Sequence, residues 1–212
     1  MKITSLPNVI MLHGWTNGDI SGIPEYLPDS DQNWMGWIKK ELENRGYKVE
    51  CPFLRYGFKS YYDDWKKELE KLDINENTIL AGWSSGGAFW VRWLGETKKK
   101  VKKLILVAPA KVVGNDEEWL KELREMQKEY LNPKWKDQWE SFHNFECDET
   151  IKDRVDDISI FISNDARWLV DAAHLYAKEF DAKLIEIENQ GHFENEKRPS
   201  PEFPEMLEEI LS

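Results

Sequence analysis

Four short runs of the chain are almost wholly apolar: Val9-Ile10-Met11-Leu12, Thr78-Ile79-Leu80-Ala81, Leu104-Ile105-Leu106-Val107 and Ile158-Ser159-Ile160-Phe161-Ile162. A strand with one face in water alternates apolar and polar residues, whereas a strand buried on both faces reads as a continuous apolar run. These runs predict the central strands of a parallel sheet with helices on both faces. Tyr47 to Cys51 and Lys183 to Ile187 show more polar alternation, as edge strands do.

The intervening segments carry apolar residues at steps of three and four: Trp34, Trp37, Ile38, Leu42; Tyr61, Trp65, Leu69, Leu72; Trp168, Leu169, Ala172, Ala173, Tyr176; and Phe203, Met206, Leu207, Ile210. That spacing predicts amphipathic helices. Strand and helix alternate from end to end, so the expected class is α/β, with about six mostly parallel strands wrapped by helices. At 212 residues the chain fits one domain, 1–212, and no internal repeat is visible. One segment, Val112 to Asp157, interrupts the rhythm. It contains no strand candidate, a charged helical stretch from Asp116 to Tyr130, and then Pro133, Trp135 and Trp139. It is too long for a plain crossover and is expected to be a helical insertion or lid over one end of the sheet.

Composition removes several classes. Apolar residues at 41% and charged residues at 33% supply a core and give no case for disorder. A net charge of −11 argues against binding nucleic acid or an acidic membrane, both of which need a basic face. Cys51 and Cys147 lie far apart without a CxxC, which predicts neither a disulfide framework nor a zinc knuckle and fits a reducing compartment. The N-terminus lacks a signal-peptide pattern and no stretch reaches the ~20 apolar residues of a membrane helix, so a soluble, cytoplasmic protein is expected. No HExxH, acidic calcium loop or GK[ST] phosphate loop occurs, so neither metal nor cofactor is expected. The run Lys98, Lys99, Lys100, Lys102, Lys103 reads as a solvated turn leading into the strand at Leu104.

Chemistry concentrates at Gly82-Trp83-Ser84-Ser85-Gly86, a G-x-S-x-G directly after a predicted strand and directly before the helical stretch Gly87 to Gly95. In that context the pattern forms a sharp strand-to-helix turn with the serine at its apex. Register selects Ser84, because counting from Ser85 places Trp83 and Gly87 at the glycine positions. The competing reading is a chance match in an ordinary turn. The Ser85 N–H then opens a helix and can donate to an oxyanion, and His13-Gly14-Trp15-Thr16, after the first strand, offers the Trp15 N–H as a second donor.

A serine hydroxyl needs a base, and of the four histidines His192 sits best, in the glycine-containing loop Asn189-Gln190-Gly191-His192-Phe193 after the last strand candidate. His174 falls inside a helix, His143 in the insertion and His13 at the first turn. Asp165, two residues beyond Ser163, falls at the same open end of the sheet as Ser84 and is the candidate carboxylate; its alternative role is to cap the helix that follows. The order Ser84, Asp165, His192 is that of an α/β-hydrolase. Of eleven tryptophans, Trp15, Trp83, Trp135, Trp139 and Trp168 lie near these positions in sequence. His13, Trp83 and Trp168 are the candidate substrate-pocket residues, while Trp34, Trp37, Trp65, Trp90 and Trp93 are expected in the core.

The chain resembles the small serine hydrolases of the retinoblastoma-binding-protein-nine type, a compact α/β-hydrolase group. The likeness rests on Gly36-Trp37-Ile38-Lys39-Lys40-Glu41-Leu42-Glu43, on Thr78 to Gly82 leading into Ser84-Ser85-Gly86, on Ser163-Asn164-Asp165, and on Gly191-His192-Phe193-Glu194-Asn195. It spans most of the chain. The resemblance implies a six-stranded, mostly parallel sheet with Ser84, Asp165 and His192 as triad. The sequence departs from the family at Trp83, often a histidine there, at His13-Gly14-Trp15, and in the long segment Val112 to Asp157. The expected activity is hydrolysis of a small ester, thioester, amide or short peptide through an acyl-enzyme, with no protein partner indicated. Two alternatives are a catalytically silent scaffold that binds protein and an acyltransferase.

Overall fold

A computed structural model describes residues 6–15, 27–28, 33–54, 59–113, 121, 134–164, 166–194 and 200–212. Its frame is a six-stranded sheet of β1 (Asn8–Leu12), β2 (Lys48–Glu50), β3 (Thr78–Trp83), β4 (Val101–Val107), β5 (Val155–Ile162) and β6 (Lys183–Glu186), in the order β2-β1-β3-β4-β5-β6. Every pairing is parallel. Among the described residues six helices accompany it: α1 (Trp34–Glu43), α2 (Tyr62–Leu69), α3 (Ser85–Thr97), α4 (Trp135–His143), α5 (Arg167–Phe180) and α6 (Pro204–Leu211). None of these helices is long and apolar enough to cross a membrane.

The apolar runs occupy the centre of the sheet, and the two polar-alternating segments form its edges, β2 and β6. Val9 to Leu12 and Leu104 to Val107 are wholly buried because helices cover both faces. The first helix starts where Asn33 caps it, its side chain accepting from the N–H groups of Met35 and Gly36 at 3.0 and 3.1 Å. Trp34, Met35, Ile38 and Leu42 then face the sheet at helical spacing.

Two strands begin earlier than their apolar runs. β4 starts at Val101, so Lys102 and Lys103 belong to the strand and not to a solvated turn. Lys103 is buried there because its charge is met on three sides: Nζ donates to Glu209 O at 2.8 Å and Ser212 Oγ at 2.7 Å, and pairs with Asp157 at 3.2 Å. The Glu209 carbonyl lies near the C-terminus of α6, where a cation is favoured. β5 starts at Val155, inside the segment read as free of strands, and Asp157 lies opposite Lys103 in the pairing register.

Register determines where the site forms. Leu12 lies opposite Gly82, Trp83 opposite Val107, Val107 opposite Phe161, and Ile162 opposite Glu186. The C-terminal ends of β1, β3, β4, β5 and β6 therefore make one edge, and the loops that follow them share it, as in other open α/β sheets.

Within the expected insertion, the charged stretch 116–130 falls outside the described residues except for Lys121. What is described, from α4 to a 3-10 turn at Glu149–Asp153, is closely tied to the rest. The Tyr62 N–H donates to Ser141 Oγ at 3.2 Å, Arg92 Nη1 donates to Ser141 O, Val112 N–H donates to His143 O at 3.2 Å, and Lys111 Nζ donates to Phe145 O. Arg92 is in turn held by Glu96 at 2.9 Å and lies 3.8 Å over the Tyr62 ring.

Candidate active site

Ser84 sits between the end of β3 and the first residue of α3 with φ 54° and ψ −118°. A positive φ at a residue with a Cβ costs of order 1–3 kcal/mol and persists only where its surroundings enforce it. They do so here. Ser84 N–H donates to Val107 O at 2.9 Å, while its carbonyl accepts from Gly87, Ala88 and Ala110 at 3.0, 3.2 and 3.2 Å. The flanking glycines permit the bend: a Cβ at Gly82 would meet the Gly86 and Gly87 backbone at 2.6 Å, and one at Gly86 would meet His13 O at 2.6 Å. The hydroxyl is thereby carried to the strand-end edge, with the Ser85 N–H opening α3, where the first N–H groups of a helix lack intrahelical acceptors.

The loop after β1 packs directly on this turn. A Cβ on Gly14 would lie 3.0 Å from Ser84 Cβ and 3.6 Å from Ser84 Oγ. Glycine is what lets the loop bring Trp15 beside the serine. His13, a candidate pocket residue, has both ring nitrogens engaged by backbone: Leu54 N–H donates to Nε2 at 2.9 Å, so Nδ1 carries the proton and donates to Gly14 O at 2.5 Å. Burial lowers its pKa to about 4, with the bond to Gly14 acting in the opposite sense. His13 is thus a neutral strut that fixes the Gly14 carbonyl.

Trp83 holds the other side. Its indole Nε1–H donates to His192 O at 2.8 Å, and the Trp83 and His192 rings lie 5.3 Å apart. The His192 loop turns through positive φ at Asn189, Gly191 and Phe193. Phe193 is fully buried and stacks on Phe203 at 5.5 Å, which seats the residue next to His192 in the core. The loop is also tied to the end of β5: Asn189 N–H donates to Asn164 Oδ1 at 2.8 Å and Gln190 N–H to Ser163 Oγ at 3.0 Å. Asp165 itself lies outside the described residues, but its neighbour Asn164 is thereby fixed against the His192 loop. The N-cap position of α5 is taken by Ala166, which makes no side-chain cap.

Trp15, Trp168 and α4 build an aromatic cluster beside the turn. The Trp15 ring meets Trp139, Phe142 and His143 at 5.5, 5.0 and 5.5 Å, and Trp168 meets Trp139 at 5.9 Å. His143 is wholly buried in it, with Nε2 at 3.0 Å from Ser85 Oγ. From sequence, His143 falls in the expected insertion and is not a site candidate. The signal present was its place on the apolar face of α4 with Trp139 and Phe142. His174 is exposed on α5. Among the described residues, no group of three or more His, Cys, Asp or Glu side chains could hold a metal ion.

A parallel sheet that bends sharply into a helix at a strained serine after β3, with a histidine loop after β6, three strands along, defines an α/β-hydrolase. A solved structure of the same fold, the ydeN gene product of Bacillus subtilis, covers 97% of both chains at a TM-score of 0.72 and 19% identity. A carboxylesterase from Nitrososphaera gargenis covers 97% of this chain and 89% of its own, at a TM-score of 0.61 and 16% identity. In sequence, the chain is 26% identical over 182 residues to the rat (Rattus norvegicus) serine hydrolase RBBP9, covering 84% of this chain and 85% of that one. The serine hydrolase family profile matches residues 20–208, and the chain belongs to that family.

Proposed function

We propose that the protein hydrolyses small esters, thioesters or amides through an acyl-enzyme formed on Ser84, with His192 as general base and acid and Asp165 as its carboxylate partner. The observation that carries this reading is the enforced φ of 54° at Ser84, at the mouth of a helix N-terminus. Ser84 Oγ attacks the carbonyl carbon while His192 takes its proton. The Trp15 and Ser85 N–H groups receive the charge that develops on the carbonyl oxygen. His192 then protonates the leaving alcohol, thiol or amine. Water, deprotonated by His192, attacks the acyl-enzyme, and the acid departs as the proton returns to Ser84. The side chains of Trp15 and Trp168 supply an apolar wall, which favours small hydrophobic acyl or alcohol groups.

The test is labelling of purified protein with a fluorophosphonate, followed by turnover of p-nitrophenyl esters. Wild type is expected to label, and Ser84→Ala to abolish it. His192→Ala should lower turnover by roughly 10⁴-fold or more, with Asp165→Asn also severely impaired. Label that persists in Ser84→Ala, or folded wild type that takes none at neutral pH, would overturn the assignment.

A further inference from the structure

The pair of His143 and Ser85 lies outside the triad yet includes a residue whose N–H is assigned to the oxyanion. His143 Nδ1 lies 2.9 Å from Trp139 O, and a carbonyl only accepts, so Nδ1 carries the ring proton. Nε2 is then an acceptor, and the Ser85 hydroxyl donates to it at 3.0 Å. Both side chains are buried, with Ser85 1% exposed. Water cannot readily replace either partner, and breaking the pair strands two buried polar groups.

The same imidazole packs against the indole of Trp15 at 5.5 Å and lies 3.7 Å from the Trp139 ring. His143 therefore touches both residues whose N–H groups are assigned to the oxyanion. It can serve as a fixed reference because the end of α4 is itself anchored, by Val112 N–H to His143 O and by Lys111 to Phe145 O. A packing role alone would be met by an apolar ring in this aromatic cluster. The hydrogen-bond acceptor aimed at Ser85 requires a further reason.

We propose that His143 is a positioning residue for oxyanion binding: it anchors the Ser85 side chain by hydrogen bond and the Trp15 ring by contact, and so holds their N–H groups in line. This rests on the Ser84 acyl-enzyme reading above. Ser85 follows Ser84 directly at the start of α3, so rotation at its Cα swings the N–H that faces the reacting oxygen. Small misplacements of such donors are costly, because the groups work only when aligned beforehand.

The experiment measures kcat and KM for p-nitrophenyl acetate, the inhibition constant of an aryl boronic acid that forms a tetrahedral adduct, and thermal midpoints. The proteins are wild type, Ser84→Ala, Ser85→Ala, His143→Phe, His143→Gln and the Ser85→Ala/His143→Phe double variant. Removing a donor outright lowers kcat by about 10²–10³-fold, so misaligning one is expected to lower it by roughly 10- to 100-fold. His143→Phe and Ser85→Ala should both show this with KM within about twofold and boronate affinity weakened in parallel. His143→Gln, whose amide oxygen can accept from Ser85, should recover most of the loss. The double variant should be no worse than either single one.

Wild-type kcat in Ser85→Ala, or losses confined to KM or the thermal midpoint, would overturn the proposal. Should His143→Phe not fold, Ser85→Ala decides it alone. Turnover that survives Ser84→Ala is the separate failure of the acyl-enzyme reading, and the positioning role falls with it.

Discussion

Moving from pH 7 to pH 5 should destabilise the protein through His13 and His143 together. Burial lowers the pKa of His13 to about 4. Burial also lowers that of His143 to about 3; the bond to Trp139 opposes this and the Lys111 charge reinforces it. In the unfolded chain both imidazoles titrate near 6.5. Between that value and the folded values, the unfolded chain binds protons that the folded chain refuses. Stability is therefore full above about pH 6.5 and falls as pH drops through this window. At about 1.4 kcal/mol per pH unit, each histidine removes about 2 kcal/mol by pH 5, or about 4 kcal/mol for the pair. That is a large part of the 5–15 kcal/mol typical of a whole domain. The carboxylates whose pKa values are lowered by their partners, Glu96 and Asp148, lose their contributions only in stronger acid, so pH 5 isolates the histidines. Urea unfolding followed by tryptophan fluorescence at pH 7, 6 and 5 and constant ionic strength gives the slope. His143→Gln should remove about half of it. A midpoint unchanged between pH 7 and pH 5, or a slope unaltered in His143→Gln, would refute the reasoning.

Two further outcomes are expected. Gly86→Ala places a Cβ 2.6 Å from His13 O and 2.7 Å from Leu12 O, both backbone atoms in the sheet edge. It should cost about 3 kcal/mol, seen as a fall of roughly 6–12 °C in thermal midpoint or as failure to fold. Trp83→Phe keeps an aromatic ring but removes the donor to His192 O, costing about 1 kcal/mol of loop anchoring. Ester turnover should drop by several-fold while the thermal midpoint moves by only a few degrees.

The sheet was legible because burial on both faces leaves a mark that needs no partner to be seen: Val9 to Leu12 and Leu104 to Val107 have no polar residue to place in water. The edges were legible by the opposite mark in β2 and β6. The turn at Ser84 was legible because its glycines fall at fixed offsets from the serine, directly between a strand run and a helical run, although the clash that Gly86 avoids is with His13 and Leu12, far away in sequence. What escaped depends on contacts distant in sequence. His143 meets Ser85 across 58 positions, and His13 meets Leu54 across 41. Lys103 reads as a solvent residue until Glu209, Ser212 and Asp157 surround it. The Trp83 donor, likewise, meets a carbonyl 109 positions away. Polar pairs of this kind leave no periodic trace in the sequence.

The strand order also bears on how the protein comes together. The edge that carries Ser84 gathers loops that follow β1, β3, β5 and β6, and each parallel pairing requires a crossover through a helix. Trp15, Ser84, Asn164 and His192 are therefore separated by most of the polypeptide until the sheet is nearly complete. A partly folded chain can bury Val9 or Leu104 while having no assembled site at all. Nucleophilic reactivity at Ser84 would then be the last property to appear on refolding, after the slow, long-range pairings are made. The strain at Ser84 needs less: Val107 and Ala110 hold it once β4 lies beside β3, so the bend precedes the reactivity.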